Sequence, residues 1–556
     1  GEPYRFIDMG AQIATRAFAE NDPAVVAAVL RTFPYAVNRY AHSEYQTALS
    51  LELKAALDRI APRGTPRHFV VNTGAESVEN AIKSVLLNRV KGEGQKDGGV
   101  IVSFEGAFHG RTLGALAVTR RKKARLGFPT FDWPQVDFPF EEKRAPAATQ
   151  RREERSLRQV FDLLVAGRVA GGAKTKEAYQ KTVEKLDAFL AQPGGDVAAW
   201  VKAERAALPP EAFKQSRRVA AVLVEPIQGE GGVRMANPRF FRRLRLLPLL
   251  YDVPLIFDEV QTGFGATGKM WAHELFELPA PPDLVTWAKK AQNGVLFVNE
   301  ELATFFQEEK KFNTTWEGDS VGMARLIAMM DRVDLEQVKA TGRAAREGLE
   351  ALAREFPELL SGVRGAGVML AIDVARQDWR DIVRDRAFRR GLILLPAGER
   401  TLRFYPRYDT PASVLEEALG ILRAAVTDVL EGRCCVPLGP LVRMTAPLDV
   451  PLPSVEAVDL DVKSFAELKP AIMQVEIERY GTLGQYPPDV LKKGARPLLQ
   501  YPAEALEASV HGARSLGIAL RDRVSGRIVA FAIGGPLESY DEEGVRDDPR
   551  RGDGQA

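Results

Sequence analysis

Apolar positions along the chain follow two rhythms. In 68–72, 100–104, 219–224, 255–257 and 284–287 nearly every residue is apolar. Such short unbroken runs read as strands buried on both faces. Between them apolar residues recur every three or four positions. Val78, Ala81, Ile82, Val85 and Leu86 share one face of a helix that starts just after the first run. A second helix is predicted over 51–60, closed by Pro62 and Gly64. Strands alternating with helices predict an open α/β sheet.

Residues 142–218 break the rhythm. They are rich in Lys, Arg, Glu and Ala, interrupted at Gly171-Gly172 and Pro193-Gly194-Gly195, and read as two or three exposed helices inserted between core strands. A long helix is predicted from Val321, then α+β structure: a helix over 340–356, strands near 367–374 and 392–395, and the segment 401–404. The last helix of this part starts at Thr410-Pro411 and ends at Gly432. Residues 433–453 hold five prolines and no helical period, which predicts a linker. Beyond it a separate αβ unit is expected: a strand over 457–462, a capped helix from Ser464 with Glu467, and a hairpin pairing 516–521 with 527–533 around Ser525-Gly526. The tail from 538 reads as unstructured. At the other end, Met9-Gly10 already sits in a folded pattern, so sequence upstream of Gly1 is expected.

Composition excludes more than it suggests. The apolar 45% and charged 27% fit a soluble globular protein, and a net charge of +2 favours neither nucleic acid nor a membrane surface. No run of about 18 apolar residues is present to span a bilayer. No secretory pattern is visible, so the expected location is the cytoplasm. The two cysteines, Cys434 and Cys435, are adjacent and can build neither a disulfide framework nor a zinc site. No metal is expected.

Candidate chemistry concentrates in 254–290. One strand ends in Asp258-Glu259, a Gly-rich loop follows, and the next strand leads to Lys289-Lys290. A carboxylate and an amine at the ends of neighbouring buried strands each need compensation. They are either a surface pair on ordinary loops, or they face a ligand with a cationic ring nitrogen and an aldehyde. Pyridoxal 5'-phosphate (PLP) is such a ligand. Other strand ends add to the second reading. Thr73 and Glu76 are spaced as a capping box, which leaves Gly74 and Ala75 in a first helical turn able to bind an anion. Phe108-His109-Gly110-Arg111 offers an aromatic that can stack on a flat ligand and a guanidinium that can grip a carboxylate. Glu225 ends the 219–224 strand and Glu230 lies on the Gly-rich loop beyond it. Ligands of open α/β sheets bind at such strand ends.

Taken together, NTGAESVENA, AFHGRT, EPIQGEGG, DEVQTGFGATG, AKK and TTW make the first roughly 430 positions resemble class III (ω-amino) aminotransferases. The resemblance implies PLP fold type I: a large domain with a mainly parallel seven-stranded sheet over 51–319, and a smaller α+β domain formed by 1–50 and 320–432. It further implies that Lys289 holds PLP as a Schiff base and that Asp258 pairs with the ring nitrogen. Val260 and Phe108 would flank the ring, with Gln261 near its phenolic oxygen and Gly74 and Ala75 at the phosphate. Thr315 would reach the phosphate of a neighbouring subunit in a homodimer. Lys290 competes with Lys289, and counting forward from Asp283 selects Lys289. Arg111 would hold the distal carboxylate of the amino donor and Arg403 the α-carboxylate of 2-oxoglutarate, with Glu230 pairing Arg403 while the donor is bound.

Within the family, FPTFDWP, TGKMWAHE and the double lysine are similar to animal-type 4-aminobutyrate aminotransferases. LILLPAGERTLRF, NTTW and RYAHSEY look more like L-lysine 6-aminotransferase. The expected reaction moves a terminal amino group, best matched by that of L-lysine, to 2-oxoglutarate. 4-Aminobutyrate and ornithine or acetylornithine are alternative donors, and a non-catalytic PLP-fold module is the alternative of another class. The iron–sulfur cysteines of the animal enzyme are not present near the phosphate turn. Two departures stand out: Glu317 where the family has a small residue after TTW, and AQNGVLFV lacking the family's double glycine. The unit over 454–556 resembles the first half of a GNAT N-acetyltransferase without its pyrophosphate loop, so acetyl-CoA binding is not expected.

Overall fold

A computed structural model describes residues 5–432, except 34–35, 37, 94–97, 121, 143–144, 169–172, 193, 211–212, 214–215, 217, 304–310 and 313. It also describes 455–459, 516–522 and 528–534. The chain divides into two compact units, Phe6–Gly439 and a second comprising Gly1–Arg5 with Pro440–Ala556.

The apolar runs become the centre of the first unit. Seven strands, β1 (Arg67–Val71), β2 (Val100–Phe104), β3 (Gln135–Val136), β4 (Val219–Val224), β5 (Leu255–Asp258), β6 (Leu284–Trp287) and β7 (Gly294–Val298), form one sheet. Their order is β1-β7-β6-β5-β4-β2-β3. Neighbours from β6 to β3 are parallel. Strand β7 alone runs against its neighbours, β6 and β1. All six residues of β4 and all four of β5 and β6 are buried, which is why these strands carry no polar alternation. A buried arginine and a half-buried aspartate hold the starts of the central strands in register. Arg245 donates to both oxygens of Asp283 at 2.8 and 3.2 Å, and Asp283 also accepts the Leu255 N–H at 2.8 Å.

A second, four-stranded antiparallel sheet orders Leu360–Ala366, Met369–Val374, Thr401–Phe404 and Leu395–Ala397. Helices Leu335–Glu355 and Ala412–Leu430 cover it, and Leu349, Ile372, Leu402 and Leu422 form its own buried core. Ile7–Asp8 pairs in parallel with Leu392–Ile393, fastening the start of the first unit to this small layer. The helices predicted from Val321 and over 340–356 are both present, the first short and the second starting five residues earlier. Asp319 caps Ser320–Met330, and Asp334 caps the next helix, Leu335–Glu355. Thr410 caps nothing: its hydroxyl donates to Arg407 O.

The insertion over 142–218 corrects an expectation. Its helices, Pro146–Ala166, Ala173–Leu190 and Val197–Ala207, are not exposed decoration. They pack on Pro238–Leu250, and Leu157, Val160, Phe161, Leu164, Leu186 and Val201 join the same buried cluster as β4 and β5. The charged residues are their solvent faces; the spacing of 157, 160, 161 and 164 is the helical stripe beneath.

In the second unit, Val455–Asp459, Leu516–Asp522 and Ile528–Gly534 form an antiparallel sheet in that order. The predicted hairpin is there, with Leu516 opposite Gly534. The linker, the helix expected from Ser464 and the tail lie outside the described residues.

Candidate active site

The carboxyl ends of β1, β2, β4, β5 and β6 open on one cavity of about 250 Å³. At one end lies the start of the helix Gly74–Glu93. Thr73 Oγ1 accepts the Glu76 N–H at 3.2 Å, and Glu76 accepts the N–H groups of Asn72 and Thr73 at 2.7 and 3.0 Å. The predicted capping box is therefore made, and Gly74 and Ala75, whose N–H groups belong to the turn a helix cannot satisfy itself, line the cavity. A side chain at 74 would stand 2.9 Å from Val260 Cγ1 and 3.2 Å from Ala288 Cβ, so only glycine lets the cradle approach the strand ends.

Asp258 lines the cavity and is 4% exposed. One oxygen accepts the Val260 N–H at 3.0 Å and the Thr286 hydroxyl at 3.1 Å; the other lies 2.6 Å from His109 Nδ1. His109 is itself buried, and its Nε2 has no hydrogen-bond partner among the described residues. Such a fixed carboxylate is built to meet a cation. Glu225, also on the wall, accepts the Phe108 N–H at 3.2 Å. Burial, reinforced by Asp258, pushes its carboxyl well above the usual carboxylate range. Of the two neighbouring acids, Asp258 is the one that also meets side-chain partners, Thr286 and His109.

The two lysines separate cleanly. Lys289 lines the cavity, while Lys290 turns the other way and donates to Gln261 O at 2.9 Å. Lys289 begins a 3-10 turn with φ at +42°. Burial lowers the pKa of its amine, as does Arg403, against the opposing pull of Glu230, Glu225 and Asp258. A desolvated amine of lowered basicity is the form that attacks a carbonyl.

On the substrate side, Arg403 Nη1 donates to Glu230, and Arg403 Nη2 donates to Pro396 O at 3.0 Å. The guanidinium is 5% exposed and Glu230 18%. Phe108, Val260, Gln261 and Glu230 all line the cavity as expected. Three expected residues do not: Arg403 stands behind Glu230, and Arg111 and Thr315 lie away from the lining. Arg111 is exposed, its guanidinium 5.6 Å over the Phe108 ring. Thr315 is also exposed, and its carbonyl accepts from Ser43 Oγ at 3.1 Å. Sequence reasoning gave His109, Thr286 and Tyr405 no role. Tyr405 is buried, and its hydroxyl lies 3.3 Å from Gln261 Oε1. Thr286 could have been found, as the polar residue in the otherwise apolar run LVTW.

An anion cradle, a fixed carboxylate and a desolvated lysine around one cavity fit a phosphorylated pyridine aldehyde at three points. The class these features define is the PLP-dependent enzymes of fold type I. Comparison with known proteins narrows it. The family model described as Aminotransferase class-III matches residues 2–172 and 180–426, and the chain belongs to that family. It is a transaminase, and PLP is its cofactor. The mitochondrial 4-aminobutyrate aminotransferase of Mus musculus is 30% identical over 434 residues, 72% of this chain and 77% of that protein. The L-lysine-epsilon aminotransferase of Mycobacterium tuberculosis is 29% identical over 76% of this chain and 88% of its own length. The solved lysine aminotransferase from M. tuberculosis, in the internal aldimine form, superposes with a TM-score of 0.63 at 26% identity. That match covers 77% of this chain and 93% of the other.

Proposed function

We propose that this transaminase takes the terminal amino group of an ω-amino acid, in the first instance the 6-amino group of L-lysine, and delivers it to 2-oxoglutarate. The Glu230–Arg403 pair carries this reading. Two substrates with carboxylates at different distances from the reacting carbon must use one cavity in turn. A guanidinium that can be either covered by Glu230 or opened to an α-carboxylate serves both, whereas a single-substrate reaction needs no such cover.

When bound, PLP supplies an aldehyde that takes up the amino group and a ring that accepts electrons from the substrate carbon. The chain's residues do the rest. Asp258, held by Val260, Thr286 and His109, keeps a proton on the ring nitrogen. The N–H groups of Gly74 and Ala75 bind the phosphate. Val260 and Phe108 restrict the ring between them. Lys289 moves a proton to and from the substrate carbon. Arg111, which lies over the Phe108 ring and outside the cavity lining, would turn inward to receive the far carboxylate of the donor. In the functional homodimer we propose, Thr315 faces the phosphate of the other subunit; its exposure within one chain supports this.

Similarity to a 4-aminobutyrate aminotransferase at 30% identity supports a second donor. The deciding experiment offers lysine, ornithine, 4-aminobutyrate and β-alanine singly to the holoenzyme and follows the visible cofactor band. Loss of the band with lysine fastest, and its return on adding 2-oxoglutarate, is expected. A band that only 4-aminobutyrate bleaches moves the donor, and one that no ω-amine bleaches overturns the proposal.

A further inference from the structure

Lys290 is used by nothing described so far, yet it is 3% exposed and immediately follows the reactive lysine. We infer that Lys290 is a positioning residue whose amine, bonded to the Gln261 carbonyl, holds the lysine turn and the Val260–Gln261 wall of the cavity as one piece.

The turn it belongs to needs holding. It enters through Lys289 at φ +42° and leaves through Gln292 at φ +53°, both left-handed conformations that side chains disfavour. On its outer side, Arg325 Nη1 donates to Gln292 Oε1 at 2.5 Å, and Asn293 Oδ1 accepts the Asp319 N–H at 3.1 Å. Gln292 and Asn293 both lie in the run AQNGVLFV, which lacks the family's double glycine. On its inner side the tie is Lys290 Nζ to Gln261 O, 2.9 Å. Gln261 passes the constraint on: its Oε1 takes the Tyr405 hydroxyl at 3.3 Å and fills the space that a side chain at Gly229 would occupy, only 1.6 Å away. Gly229 precedes Glu230, and Tyr405 lies beside Arg403, whose guanidinium is 6.0 Å from its ring. Lys290 thus anchors a chain of contacts from the lysine turn to the substrate-side ion pair. Burial and the amine of Lys289 bring its pKa down to about 7, with Glu259 opposing. Near neutrality it therefore divides between amine and ammonium, and the single acceptor it has satisfies the amine, not an ammonium needing three.

This rests on the cofactor reading above, and the test separates the two. Lys290→Met keeps the length and removes the donor; Lys290→Gln keeps an N–H donor. In the holoenzyme, Lys290→Met should retain the visible cofactor band, shift the pH midpoint of that band by about one unit and lower kcat roughly tenfold, with donor KM within about threefold. Lys290→Gln should recover at least about half of the lost kcat, as a hydrogen-bond role requires and a loss of packing or charge would not. Wild-type spectrum, midpoint and kcat in Lys290→Met overturn the inference, as does a Gln variant no better than Met. If Lys290→Met does not fold, Lys290→Gln decides alone: near wild-type behaviour supports the tie, and a midpoint and kcat both displaced overturn it. A wild-type protein with no visible band overturns the cofactor reading and this inference together.

Discussion

Removing Glu230 should make the enzyme take its oxo acid more readily. In the structure Arg403 is covered by Glu230, so an incoming α-carboxylate has to displace that partner. A hydrogen bond between charged groups contributes about 1.5–3 kcal/mol, and each 1.4 kcal/mol or so is a factor of ten. The range is therefore roughly 10–150-fold. Glu230 keeps 18% of its side chain in solvent, which places the expectation at the low end. Glu230→Ala should lower KM for 2-oxoglutarate about tenfold in the second half-reaction. It should also leave a nearly buried guanidinium uncovered, so the free variant should melt earlier and 2-oxoglutarate should raise its Tm more than it does for wild type. Stopped-flow half-reactions and thermal shifts read both effects. An unchanged or increased KM for 2-oxoglutarate would show that Glu230 does not cover the acceptor's site, and the switch would have to be abandoned.

Borohydride reduction and peptide mapping should find the cofactor on Lys289 in wild type; Lys289→Ala should abolish the visible band while Lys290→Gln keeps it. Asp258→Asn should lower kcat by roughly a hundredfold, as loss of a charge-assisted bond of about 3 kcal/mol implies; a full-speed variant would remove Asp258 from the ring nitrogen. Arg111→Gln should raise KM for the amino donor without a matching change in KM for 2-oxoglutarate, and equal effects on both would refute the division of labour. Away from the site, Glu153 is 6% exposed and one of its oxygens lacks a partner among the described residues. Burial raises its pKa from 4.5 to about 7, against Arg239 and Arg243. A carboxyl whose folded pKa is raised is neutral in both states below pH 4.5; above that the unfolded chain ionises first, so it costs stability increasingly up to about pH 7. Glu153→Gln should therefore stabilise by about 1–3 kcal/mol at pH 8 and hardly at pH 4, measured by urea unfolding; a gain independent of pH would contradict this.

Much of the architecture could be read in advance because burial on both faces leaves an unmistakable trace. The runs at 100–104, 219–224 and 284–287 match the observed strands residue for residue. The site residues were legible for a related reason: they stand where those runs end. What could not be read was what depends on a partner distant in sequence. His109 meets Asp258 from 149 residues away, and nothing local announces it. The helices of 146–207 looked solvated because their charged faces dominate the composition, whereas their burial depends on Pro238–Leu250, a helix that follows them. Arg111 shows the converse. The motif named the residue, but its side chain left the cavity for the face of Phe108.

The reversed strand β7 has a consequence for what can change in this enzyme. Gly294, its first residue, packs so closely under Thr73 that a side chain there would meet the Thr73 carbonyl at 2.2 Å. The strand that leaves the lysine turn thus begins against the phosphate cradle. The spacing between the points that grip the two ends of the cofactor is therefore tied to the sheet as well as to the lysine turn. Donor preference can drift through the loop bearing Glu230 and the small-sheet strand bearing Arg403 while that spacing stays put, and an alanine at 294 would dislodge both grips at once.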